Sequence, residues 1–113
     1  MTKSSNTDLV EGAALPMREM RRIDRTVLAL FAGGSGDHNP LHLDPDFARC
    51  EGGLDDVIGH GMLTMALIGR YVSEIAPQTS LLSLQARFAA QSRLGDVIMC
   101  GGKVMSVAPE AGV

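Results

Sequence analysis

Between Phe31 and Ala48 the chain reads FAGGSGDHNPLHLDPDFA, and the six residues from Asp37 to His42 include a carboxylate, an amide and two imidazoles. A carboxylate beside an imidazole is an acid–base pair that can take a proton from water and return one. Asn39 precedes Pro40, which pushes it toward an extended conformation. His42 sits between Leu41 and Leu43, so partial burial is expected. Asp37 and His42 flank a proline turn and can face one small cavity. Each has an ordinary use when taken singly. Asp and Asn cap turns in Gly/Pro-rich segments, and a lone buried His is commonly a core residue. Their clustering on a loop points to function, because loops on a rigid scaffold carry binding and catalytic groups.

A second element, GHGM at 59–62, leads into a long apolar stretch. A helix N-terminus exposes unpaired N–H groups with positive partial charge. Gly59 and Gly61 let a ligand approach the backbone closely, and a carbonyl oxygen held there would be polarised. The same glycines equally suit a bare loop-to-helix turn. Adding water across a C=C bond conjugated to a carbonyl requires an activated water, a proton source and a group polarising the carbonyl. Asp37, His42 and the Gly61 N–H match that list. A metal on His38, His42 and Asp44 is not expected, because Pro40 breaks the helical spacing and turns the two imidazoles apart.

These groups need elements to hold them. An edge strand is expected over 13–23, with Pro16 confined to a border position. Asp24 reads as the N-cap of a short helix over 25–32, stopped by Gly33 and Gly34. A long irregular excursion over 33–59 follows, with one or two helical turns in DPDFARC, where Asp44 caps and Pro45 takes the first position. The stretch 60–76 is apolar around most of a helix circumference and is expected to be buried. Two strands are expected over 80–90 and 96–108, joined by QSRLGD, with a bulge or bend at Gly101 and Gly102. This order implies an α+β layer architecture, with an antiparallel sheet around a buried helix.

The chain of 113 residues suits one domain, expected over 13–113 behind a disordered tail at 1–12. A net charge of −3 argues against a nucleic-acid surface. The basic cluster Arg18, Arg21, Arg22 and Arg25 reads as a solvated edge, the alternative being a dock for a phosphorylated ligand. No apolar run is long enough for a membrane span, and the polar N-terminus lacks the centre of a secretion signal. Cys50 and Cys100 share no CxxC spacing and read as free thiols in a cytoplasmic protein, Cys100 within the core. Seven methionines and few aromatics imply an adaptable aliphatic interior.

The run FAGGSGDHNPLHLDPDFA resembles the hydratase 2 signature of the MaoC-like family of (R)-specific enoyl-CoA hydratases and (3R)-hydroxyacyl dehydratases. Phe31, Ser35, Gly36, Asp37, Asn39, Pro40, Leu41, His42 and Ala48 match it. HGMLTMALIGRYV is similar to the start of the family's central helix, and ARFAAQSRLGDVI to its later hairpin. The resemblance implies a hot-dog fold, an antiparallel sheet wrapped around a long central helix, in units that pair as homodimers or higher oligomers. It implies an acyl thioester substrate on CoA or acyl carrier protein and no metal or redox cofactor. Asp37 and His42 become the catalytic dyad that holds water, Asn39 orients their loop, and Gly61 offers its N–H to the thioester carbonyl. Ser35, Leu41, Phe47, Gly59, His60, Met62 and Met65 are expected along the substrate's path, with the 47–58 loop lining the acyl pocket. The family pattern continues with a further strand inside the sheet, so the C-terminal strand is expected to be missing here. A thioesterase, or a subunit of a hetero-oligomeric dehydratase, are the competing activities on the same scaffold.

Overall fold

A computed structural model describes residues 9–108. Residues 1–8 of the expected tail lie outside the described residues. Val10 to Gly12 form a turn, and the Gly12 N–H donates to the Val104 carbonyl at 2.7 Å. Strand β1 (Ala14–Arg22) then pairs antiparallel with β2 (Val97–Lys103). β1 twice carries one residue more than β2 opposite it, between Leu15 and Arg18, where Pro16 and Met17 face Gly101, and between Glu19 and Arg21, where Met20 has no counterpart. The bulges expected at Gly101 and Gly102 are therefore on the other strand. Pro16 falls within the first, where its missing N–H breaks no ladder bond. Gly101 serves a different purpose: a Cβ there would collide with the Met17 sulfur.

Helix α1 (Arg25–Ser35) starts where Asp24 Oδ1 accepts from the Val27 N–H at 2.8 Å. It does not stop at Gly33 and Gly34. Glycine within a helix costs only about 1 kcal/mol relative to alanine. The stop comes at Gly36, whose φ of 81° forms the left-handed cap that donates its N–H to the Ala32 carbonyl. Asp44 accepts from the Asp46 and Phe47 N–H groups to start α2 (Pro45–Cys50), with Pro45 in its first turn. Helix α3 (Gly61–Ile75) is the longest element.

The core cluster joins Ile23, Val27 and Leu28 at the β1–α1 corner to Ala48, Val57, Leu63 and Leu67, with Met20, Phe31, Leu54, Leu94 and Ile98 packed against it. Full burial of each large aliphatic side chain contributes about 1.5–3 kcal/mol. The α3 face bearing Leu63, Leu67 and Tyr71 is buried, and Tyr71 donates its O–H to the Pro16 carbonyl. The rest of α3 is not covered all round: Met62 is 56% exposed. The expected strand at 80–90 is also not formed. That segment carries no ladder among the described residues, and Leu82 is 89% exposed. A strand exists only with a hydrogen-bonded neighbour, and β1 and β2 pair with each other rather than with it. The turn after it does close as expected. Gly95 has φ 91°, Arg93 N–H donates to Asp96 Oδ2 at 2.9 Å, and Ile23 exchanges backbone bonds with Gly95 and Asp96. No helix of the described residues is long and apolar enough to cross a membrane.

Candidate active site

Among the largest fully buried side chains, Tyr71, Ile23, Leu28 and His60, only His60 is ionisable near neutrality. It marks where the polar loop meets the core. The loop itself is built from short-range bonds. Ser35 Oγ accepts from the Asp37 N–H at 3.2 Å, Asp37 Oδ1 from the Asn39 N–H at 3.3 Å, and Asn39 Oδ1 from the Leu41 N–H at 3.0 Å. Asn39 thereby caps a single 3-10 turn, Pro40–His42. Each side chain fixes the backbone two residues on, which is what Asp and Asn do in such segments.

Long-range bonds then aim the rings. His42 Nδ1–H donates to the Ile58 carbonyl at 2.8 Å, while the Ile58 N–H donates to the Leu41 carbonyl at 3.1 Å. With Nδ1 carrying the proton in the neutral ring, Nε2 keeps its lone pair and is the basic nitrogen. His60 stacks on His42 with centroids 3.9 Å apart and planes at 25°. Its other neighbour is Phe31, edge-on at 4.9 Å. His60 Nε2–H donates to the Asp37 carbonyl at 3.2 Å, and its Nδ1 is buried with no hydrogen-bond partner. Burial pushes the His60 imidazole below its ordinary value; the bond to the Asp37 carbonyl partly offsets this, and the smaller effects of the His42 and Asp37 charges oppose each other.

Side-chain donor atoms of Asp37, His42 and His60 all lie within 4.8 Å of one another. That is also the spacing a cation would need. The two rings lie face to face, however, so their in-plane nitrogen lone pairs run alongside each other rather than converging on a point. The arrangement suits proton transfer better than ligation. His38 turns away, its Nδ1 at 3.2 Å from the Gly36 carbonyl, and Asp44 is occupied in capping α2.

Two clefts flank the N-terminus of α3. One of about 560 Å³ is lined by Phe31, Ser35, Asp37, Met62, Met65, Ala66, Gly69 and Leu84. The other, about 310 Å³, includes His42, Ile58, Gly59, Gly61, Arg87 and Phe88. Asp37 lines the first and His42 the second. A larger groove of about 610 Å³ continues along α3 past Ala66 and Gly69 toward Pro77 and Leu81. Gly59 is held tightly against the 91–96 turn: its N–H donates to the Ser92 carbonyl at 2.8 Å, and a Cβ would collide with Ser92 Oγ.

The structure brings together Ser35, Asp37, His42, Gly59, Gly61, Met62 and Met65, with His60 beneath them. It does not bring Leu41 or Phe47 to either cleft. Leu41 packs on Gly52 at the end of α2, because the 3-10 turn sends it to the side opposite the cavity. Phe47 rides on α2, 36% exposed. Of the 47–58 loop, Ile58 lines the smaller cleft, while residues 53–58 enclose a separate cavity of about 320 Å³ with Arg93 and Leu94. Phe31, Leu84 and the Ile58 carbonyl were not foreseen as parts of the site. Phe31 carried a signal as the first residue of the family signature, whereas a backbone carbonyl from a distant residue carries none.

A family model described as "MaoC like domain" matches residues 9–109. The chain is 33% identical over 92 residues to the mitochondrial 3-hydroxyacyl-[acyl-carrier-protein] dehydratase of Arabidopsis thaliana, covering 81% of this chain and 54% of that one. It thus spans about half that relative's length. It is 29% identical over 105 residues to the (R)-specific enoyl-CoA hydratase of Rhodospirillum rubrum, covering 91% of this chain and 71% of that one. Among solved structures it superposes on the R-hydratase PhaJ1 of Pseudomonas aeruginosa with a TM-score of 0.76 and 29% identity, covering 95% of this chain and 67% of that one. The antiparallel sheet laid against α3 is the hot-dog architecture.

Proposed function

The chain belongs to the MaoC-like domain family, and from that premise we propose that it catalyses reversible syn hydration of 2-enoyl thioesters to (3R)-hydroxyacyl thioesters. The observation that carries the reading is the approach of the Asp37 carboxylate and the His42 imidazole to within 4.8 Å, Asp37 lining an apolar cleft and His42 lining the cleft that includes Gly61. The names of the two relatives and of the superposed structure point the same way.

The chemistry follows from the positions. The Asp37 carboxylate accepts one hydrogen of a water, and His42 Nε2, left basic by the Nδ1–H bond to Ile58, accepts the other. The water oxygen bonds to C3 of the enoyl group while His42 takes its proton. The C2=C3 electron pair moves toward the thioester oxygen, which the Gly61 N–H stabilises at the helix terminus. The proton returns from the pair to C2 on the same face, restoring both groups and giving the syn product. Asn39 holds the loop by its bond to the Leu41 N–H. Met62, Met65 and Leu84 supply an apolar wall for the acyl chain, and Met adapts to chains of different shape. The thioester carrier is CoA or acyl carrier protein.

The working unit under this reading is a homo-oligomer, since the 82–91 backbone, which joins no ladder among the described residues, lies beside exposed Leu82 and Phe88 and offers an open edge for a second copy. The test is loss of enoyl absorbance with crotonyl-CoA, with mass read by light scattering on the same preparation. Asp37→Asn and His42→Ala should each lose roughly a hundredfold or more in rate. Both variants retaining full activity would refute the dyad, and a monomer would refute the assembly. Free thiol released with enoyl absorbance unchanged would instead show a thioesterase.

A further inference from the structure

We propose that His60 is a positioning residue that holds both halves of the acid–base pair, gripping Asp37 through its main chain and His42 through its ring face. The inference rests on the hydratase reading above.

Three observations converge on it. His60 is 1% exposed, so its ring is fixed by its surroundings and does not reach substrate. Its Nε2–H meets the Asp37 carbonyl at 3.2 Å, tying the turn that carries the carboxylate to the start of α3. Its face lies 3.9 Å from His42, blocking rotation of that ring about its side-chain bonds. One ring therefore fixes the distance between two groups that must grip the same water. Geometry held to within an ångström is worth large factors in rate.

The unpartnered Nδ1 strengthens the case. A buried acceptor without a partner destabilises a fold. A wholly apolar ring would fill the space between Phe31 and His42 without that cost, so packing alone does not call for histidine here. A histidine that serves the site at the expense of the core is the pattern expected where stability and activity compete. The groups that face His60 and bear on its charge are Asp37 and His42, and its burial favours the neutral ring.

Two variants separate the two contacts. His60→Phe keeps a stacked ring and removes the donor; His60→Gln keeps a donor and removes the ring. Each should lower kcat on crotonyl-CoA by roughly 10- to 100-fold while KM stays within about threefold. His60→Phe should melt at or above the wild-type temperature. Either variant, folded and with wild-type kcat, overturns the proposal. Should neither fold, nitrogen NMR of the wild-type imidazoles decides it. His60 is expected to show a neutral Nε2–H tautomer at about pH 7.5, and a neutral Nδ1–H tautomer overturns the assignment. Absence of turnover in the wild type would refute the hydratase reading instead, and the NMR readout needs no turnover.

Discussion

Replacing Gly61 with proline would remove one N–H from the site and change little else. Gly61 is the first residue of α3, where the N–H has no intrahelical acceptor and proline's φ is already suited to the helix. The residue before a proline must be extended, and His60 is, with φ −65° and ψ 134°. A Cβ at 61 would stand 3.6 Å from the Phe88 ring, an ordinary contact. The fold should therefore shift by no more than about 1 kcal/mol, or about 5 °C in Tm. The chemical cost is larger. Loss of one oxyanion donor typically lowers kcat by about 10² to 10³. Gly61 is exposed, so water weakens the donor's contribution and the lower figure applies. Gly61→Ala adds the same Cβ but keeps the N–H, and is the control. Both would be assayed by loss of enoyl absorbance on crotonyl-CoA beside a thermal melt. The reasoning fails if Gly61→Pro, folded, turns over within about threefold of Gly61→Ala.

Two further outcomes concern stability. Tyr71→Phe keeps the buried ring but leaves the Pro16 carbonyl without its O–H donor, so it should cost about 1–2 kcal/mol; an unchanged urea midpoint would contradict the tie between α3 and β1. His60 titrates below its ordinary value of 6.5 because it is buried, so the unfolded chain binds more protons than the folded one between the two values. Stability should then fall as pH drops below about 6.5, and the urea midpoint should be lower at about pH 5.5 than at about pH 7.5. His60→Phe should lose that part of the drop; an identical drop in the variant would place its origin elsewhere.

What was legible in the sequence is whatever neighbouring residues decide. Asp24 and Asp44 start helices because their carboxylates reach N–H groups two or three residues on. Asn39 caps its turn for the same reason, and the apolar run after Gly61, uninterrupted by proline until Pro77, forms a long helix. The Asp37–His42 pairing across a proline turn could be read from spacing and from the family signature. The end of α1 at Gly36, past two glycines, is again a local matter, set by its left-handed φ and its bond back to Ala32. Tertiary structure decided the rest. The 80–90 run alternates as a strand should, yet alternation supplies no hydrogen-bonded neighbour. Leu41 left the cavity and His60 slid beneath His42 because packing against Gly52 and Phe31, far along the chain, determined which way each side chain could turn. Local bonds need only the next few residues, whereas burial and pairing depend on partners that meet only once the whole chain has folded.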